Sequence, residues 1–130
     1  MESAKGKLGV MCVGLGAVTT TFITGVLMTR KGLAKPVGSM TQYDKIRVGR
    51  GENKKYLHYG EIVPLTDLKD IVFGAWDVYP ANAFESAVNA EVLKAKDILP
   101  VEDELKAIKP MKAAFDRDYA KRLDGDNVKD

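Results

Sequence analysis

Apolar positions along this chain fall into runs with different rhythms. From Leu8 to Val13 (LGVMCV) they continue almost without interruption until Gly14. A short apolar run closed by glycine predicts a strand buried on both faces. After Gly16, Val18, Phe22 and Val26 recur at every fourth position, with Ile23 and Leu27 beside them. That spacing predicts a helix whose apolar stripe follows those residues. Arg30 and Lys31 stand in its last turn, where cations complement the helix dipole, and Gly32 follows as the C-cap.

The same reading continues downstream. Pro64 to Lys69 (PLTDLK) predict a helical turn capped by Thr66. Ile71, Val72 and Phe73 predict a second buried strand that Gly74 ends, and on a packing-only reading Trp76 is a core anchor and Asp77 a turn residue. Asp77 then lies just past the carboxyl end of that strand. Asn82, with Glu85 three positions on, predicts a capping box. The helix it opens carries Phe84, Val88, Glu91 and Val92 near one face and closes around Lys94 and Lys96. VEDELKAIK predicts a further helix with an acidic front and a basic rear, closed by Pro110. Within residues 45–62 (KIRVGRGENKKYLHYGEI), GRGENKK predicts a solvated loop or hairpin tip, and Arg47, Arg50, Lys54 and Lys55 predict a wet surface, with phosphate contact as the alternative. In the tail, Met111 to Phe115 predict a loop or short strand, and DGDNVKD a linker.

Strand, helix, loop, strand, helix, helix is the order of an α/β fold, with a parallel sheet flanked by helices. The expected division is a Rossmann-like portion over residues 1–110, with an incomplete sheet, and a connecting segment over 111–130. The uncharged run from Leu8 to Thr29 permits another reading, since its length suits a membrane span. Its composition speaks against that. Gly9, Gly14, Gly16 and Gly25 interrupt it, together with Thr19, Thr20, Thr21, Thr24 and Thr29. A buried strand followed by a packed helix imitates a span.

Composition narrows the classes further. The chain has 130 residues, 45% hydrophobic and 29% charged, with a net charge of +2. Charges this balanced give no general attraction to nucleic acid or anionic lipid. Cys12 is the single cysteine, which excludes an internal disulfide and fits a reducing compartment. His58 is the single histidine, and no CxxC or HExxH spacing occurs, so no metal site is expected.

Candidate chemistry sits at the glycine turn, VGLGAVTTT. In a dinucleotide-binding unit the first glycine makes the tight turn and the second lets the backbone approach a pyrophosphate. The helix N-terminus then presents free amides and a positive dipole end. Gly14 and Gly16 suit those positions. Thr19 stands where the third glycine or alanine belongs, so the full pattern is absent and a turn serving only packing remains open. The acidic residue expected about twenty positions on, to bind a ribose, is also missing there. Asp44 comes late.

Four segments in order supply what spacing leaves open. KLGVMCVGLGAVTTT, RKGLAKPVGSMTQ, VPLTDLKDIVFGAWDVYPANAFESA and LKAIKPMKAAFDRDYAKRL together resemble the N-terminal part of the inositol phosphate synthase family. The resemblance implies a Rossmann domain that binds NAD. It also implies a second domain, beyond these segments, that holds glucose 6-phosphate and supports tetramer formation. Members convert that sugar to an inositol phosphate by oxidation, enolisation, aldol closure and reduction, in the cytoplasm, without membrane or nucleic-acid partners. Gly14, Gly16, Ala17, Val18, Thr19 and Thr20 match the family's pyrophosphate turn. Asp77 matches its ribose-binding carboxylate. Ser39, Thr41 and Gln42 match a G-S-x-T-Q segment to which no role is assigned. The family's catalytic lysines have no counterpart up to Asp130, so no catalytic residue is expected here, and the chain alone is expected to be inactive. A nucleotide-binding module of an unrelated dehydrogenase shares the glycine turn but not the later segments. A membrane-anchored, non-enzymatic protein with a span over residues 8–29 is the remaining alternative.

Overall fold

The computed structural model of the chain describes residues 5–113. Strand β1 (Leu8–Val13) passes through a glycine turn into helix α1 (Ala17–Arg30). A short helix α2 (Met40–Tyr43) precedes an antiparallel hairpin of β2 (Lys45–Val48) and β3 (Lys55–His58). The chain then returns to the main sheet as β4 (Ile71–Asp77). Helices α3 (Ala83–Asn89), α4 (Ala95–Ile98) and α5 (Glu102–Ala107) lead to a last strand, β5 (Met111–Lys112).

The main sheet has the order β1-β4-β5 and is parallel throughout. Leu8 lies opposite Ile71 and Val13 opposite Trp76, while Trp76 also faces Met111. Both crossovers step in the same direction. Because such connections are right-handed, both sets of helices belong on one face of the sheet. The core agrees. Phe73 and Ala75 of β4 and Cys12 of β1 pack with Ile23 and Leu27 of α1, Ala83 and Ala87 of α3, and Leu105 of α5.

The other face is open. Met11, Val13, Val72, Trp76 and Met111 share it, and Val13 is 88% exposed. The expectation of strands buried on both faces is therefore corrected: the described helices cover one side only. Trp76 belongs to this open face and is not a core anchor. Gly74 does not end β4. It lies beside Met11, and a Cβ there would come within 2.7 Å of the Met11 Sδ. The glycine accommodates a neighbouring side chain while the strand runs on to Asp77.

The stripe of α1 is also corrected. Val18 is 85% exposed and Phe22 only touches the Phe73 ring edge-on. The buried side consists of Thr20, Ile23, Thr24, Leu27 and Met28, so small threonines bring the helix close to its neighbours. Gly32 does terminate α1, at a left-handed φ of +69° one position beyond the Lys31 cap. The Leu33 amide donates to the Met28 carbonyl and the Gly32 amide to Thr29, the paired bonds of a Schellman motif. Arg30 then reaches the Leu68 carbonyl at 2.7 Å and the Ile71 carbonyl, and lies over the Phe73 ring.

Downstream boundaries shift for local reasons. Asp67, not Thr66, precedes a 3-10 turn over Leu68–Asp70. The capping box of α3 is present, but the helix stops at Asn89 because Glu91 adopts a left-handed φ of 55°. Its buried residues are Ala83 and Ala87, while Val88 and Val92 face solvent. The basic residues of the hairpin are exposed, as is His58. Ala114, Phe115 and the DGDNVKD segment lie outside the described residues.

Candidate functional site

The carboxyl ends of β1 and β4 lie side by side, and the glycine turn leaves the sheet there. The Gly14 amide donates to the Trp76 carbonyl at 2.7 Å, which continues the ladder one step past β1. Gly14 then turns sharply at φ +91°, a region where a β-carbon is strained. Gly16 is the N-cap of α1, in an extended conformation and without a side-chain cap.

The first intrahelical bond of α1 runs from the Thr20 amide to the Gly16 carbonyl at 2.9 Å. Helix geometry leaves the amides before it unpaired. Among the described residues no acceptor meets those of Gly16, Ala17, Val18 or Thr19. No heavy atom lies within 4 Å of a Cβ built on Gly16. An oxyanion can therefore approach this backbone, and the dipole of a 14-residue helix favours it there. The residues present fit a pyrophosphate.

Asp77 completes the edge. It is the last residue of β4, not the residue beyond it, and is half-buried. One carboxylate oxygen accepts from the Leu15 amide at 2.5 Å, and the other accepts from the Tyr79 amide at 2.9 Å. A cleft of about 740 Å³ opens beside these groups. Leu15, Gly16, Ala17, Asp77, Tyr79 and Phe84 are among the residues that line it.

The structure brings together Gly14, Gly16, Ala17, Val18, Thr19 and Asp77. It turns Thr20 away. That side chain is 1% exposed, and its hydroxyl donates into the helix, with the Gly16 and Ala17 carbonyls at 3.0 and 3.2 Å. Ser39 and Gln42 are elsewhere, in a separate groove of about 390 Å³ along Phe22 and Val26 of α1. Thr41 contacts Ser39, with their hydroxyl oxygens 3.3 Å apart. Tyr79 and Phe84 were not legible as site residues. The Asp77–Tyr79 bond had a local signal, because aspartate commonly accepts from the amide two residues on. The Leu15–Asp77 bond had none, being 62 residues apart in sequence.

A parallel sheet with a glycine turn and an open helix N-terminus at its carboxyl edge defines a Rossmann-like α/β unit. A family model of NAD-binding type, described as myo-inositol-1-phosphate synthase, matches residues 8–130. Inositol-3-phosphate synthase 1 of Bacteroides thetaiotaomicron is 56% identical over 130 residues, covering 99% of this chain and 30% of that protein. Inositol-3-phosphate synthase 1 of Oryza sativa subsp. japonica is 31% identical over 87% of this chain and 25% of that one. The crystal structure of inositol-3-phosphate synthase from Caenorhabditis elegans shares the fold, with a TM-score of 0.73 at 20% identity, over 88% of this chain and 25% of that one. The chain belongs to the myo-inositol-1-phosphate synthase family, and it spans less than a third of the length of these relatives.

Membership sets aside the unrelated dehydrogenase. The span reading fails on geometry. The run from Leu8 to Thr29 divides into β1 and α1, and among the described residues no helix is long and apolar enough to cross a membrane.

Proposed function

We propose that this chain binds NAD and is the cofactor-holding part of an inositol-3-phosphate synthase acting on glucose 6-phosphate. The observation that carries the binding is the row of unpaired amides at residues 16–19, beside an open cleft, in a chain of an NAD-binding family. The amides of Gly16, Ala17, Val18 and Thr19 receive the pyrophosphate, with Gly14 making the turn. Asp77 stands where a ribose can reach its remaining lone pairs. Thr20 supports the helix and does not touch the ligand. The amides of Gly16 to Thr19, with Asp77, would hold and orient NAD, which would supply hydride transfer for the sugar reaction.

The complete enzyme is proposed to be a cytoplasmic homo-oligomer, a tetramer on the family pattern, with neither membrane nor nucleic acid as partner. Residues 1–110 form its cofactor portion, and 111–130 lead towards the part that supplies catalytic lysines. The 130-residue chain alone is therefore expected to form no inositol phosphate from glucose 6-phosphate, and product in a turnover assay overturns that.

Calorimetric titration with NAD tests the binding. Saturable heat is expected, together with a loss of about tenfold or more in Gly16→Val, equivalent to about 1.4 kcal/mol. A Cβ at this position meets no atom within 4 Å beyond its chain neighbours, so the side chain enters the anion approach rather than the packed interior. Equal affinity in both proteins, or none in the parent, refutes the proposal.

A further inference from the structure

We propose that Asp77 is a positioning residue for the pyrophosphate turn, in addition to any contact it makes with a ribose. This rests on the NAD reading above. A carboxylate beside an anion site is unfavourable by charge alone. The structure supplies a reason for one here. The turn and β4 are 62 residues apart in sequence, so no local geometry fixes one against the other. Past the end of β1, two bonds do so: the Gly14 amide to the Trp76 carbonyl, and the Leu15 amide to Asp77.

The second bond is charge-assisted and short, the stronger kind. Leu15 is 2% exposed and its side chain belongs to the core, so this bond ties the start of α1 to both the sheet and the interior. The second oxygen of Asp77 holds the amide of Tyr79, which also lines the cleft. One carboxylate thus holds the start of the glycine turn's helix and the loop after β4 together. It also occupies the Leu15 amide, which leaves the amides of Gly16 to Thr19 as the cradle.

Inorganic pyrophosphate, which has no ribose, separates positioning from ribose contact. It is measured on the 130-residue chain as a competitor of NAD, alongside hydrogen exchange at the Leu15 amide. Removing a negative charge without any positioning role tightens pyrophosphate binding or leaves it unchanged. Positioning predicts the opposite: Asp77→Ala weakens it by about tenfold and exposes the Leu15 amide to exchange. Asp77→Asn, neutral but with one acceptor oxygen, falls between the two and serves in their place if the alanine variant does not fold.

Unchanged or tighter pyrophosphate binding in the variants overturns the proposal, as does an unprotected Leu15 amide in the parent. Failure of pyrophosphate to compete in a parent that binds NAD also overturns it. A parent with a protected Leu15 amide that binds neither NAD nor pyrophosphate instead refutes the NAD reading, and with it the ligand role of the bond.

Discussion

The two faces of the main sheet are built from the same strands and have had different fates. On one, Cys12, Phe73 and Ala75 meet α1, α3 and α5, and Ile23, Val101 and Leu105 are fully enclosed. On the other, Met11, Val13, Val72, Trp76 and Met111 meet none of these helices. The residue types hardly differ. An apolar side chain records a capacity to be buried, while topology decides which capacities are used. Stepping twice in one direction from β1 placed both helical layers on the same side.

This contrast is tested most severely by one charge placed on each face. Ile23→Asp buries an unpaired carboxylate in a side chain that is 0% exposed. It is expected to cost more than about 4 kcal/mol and to abolish cooperative unfolding. Val13→Asp, at 88% exposure, is expected to change stability by less than about 0.5 kcal/mol. Urea denaturation of both proteins decides it, and a comparable loss in Val13→Asp shows that the second face is covered in solution.

Truncations sharpen the same comparison on a smaller scale. Leu105→Ala is expected to lose about 2–5 kcal/mol through the cavity it leaves. Val72→Ala, half exposed on the open face, is expected to lose less than about 1 kcal/mol. Smaller than the Leu105 loss is Asn82→Ala. It removes the acceptor of the Glu85 amide bond, 3.0 Å long, at the start of α3. A loss of about 1 kcal/mol is expected, read as a lower melting temperature.

A further small effect lies at the rim of the covered face, where Lys31 of the α1 cap meets Glu104 of α5 at 2.6 Å. The Lys31 hydrogen bond holds the Glu104 carboxyl below its ordinary value of 4.5. A depressed carboxyl contributes its stability above the ordinary value and loses it as pH falls through the depressed one. The difference between the parent and Glu104→Gln should thus be present at neutral pH and vanish in acid. Side-chain exposures of 40% and 39% keep it below about 1 kcal/mol. A difference that grows in acid contradicts this assignment.

What could be read in advance follows the same division. The glycine turn, the Asn82 cap and the Gly32 terminus were legible because each depends on a few adjacent residues. The hairpin was legible from its polar, glycine-bearing tip. Faces were not. The Val18, Phe22 and Val26 stripe has helical spacing, yet the helix turned Thr20 and Thr24 inward beside Ile23 and Leu27, because tertiary packing and not the spacing alone decides which side is covered. Asp77 was legible as a residue at a strand's carboxyl end, while its ribose role came only from family resemblance. Its backbone partner Leu15 became visible once β1 and β4 were paired.

That pairing has a cost in time. Strand β1 leads the chain but finds its only described neighbour, β4, after the long excursion through α2 and the hairpin. Contacts between distant segments must first close the intervening loop, which slows folding. During synthesis at roughly 5–20 residues per second, β1 emerges several seconds before β4 exists. For that interval the Leu8–Val13 strand is an apolar segment with both edges unpaired. The hairpin, joined locally, can be complete before the cofactor turn has a sheet to stand on.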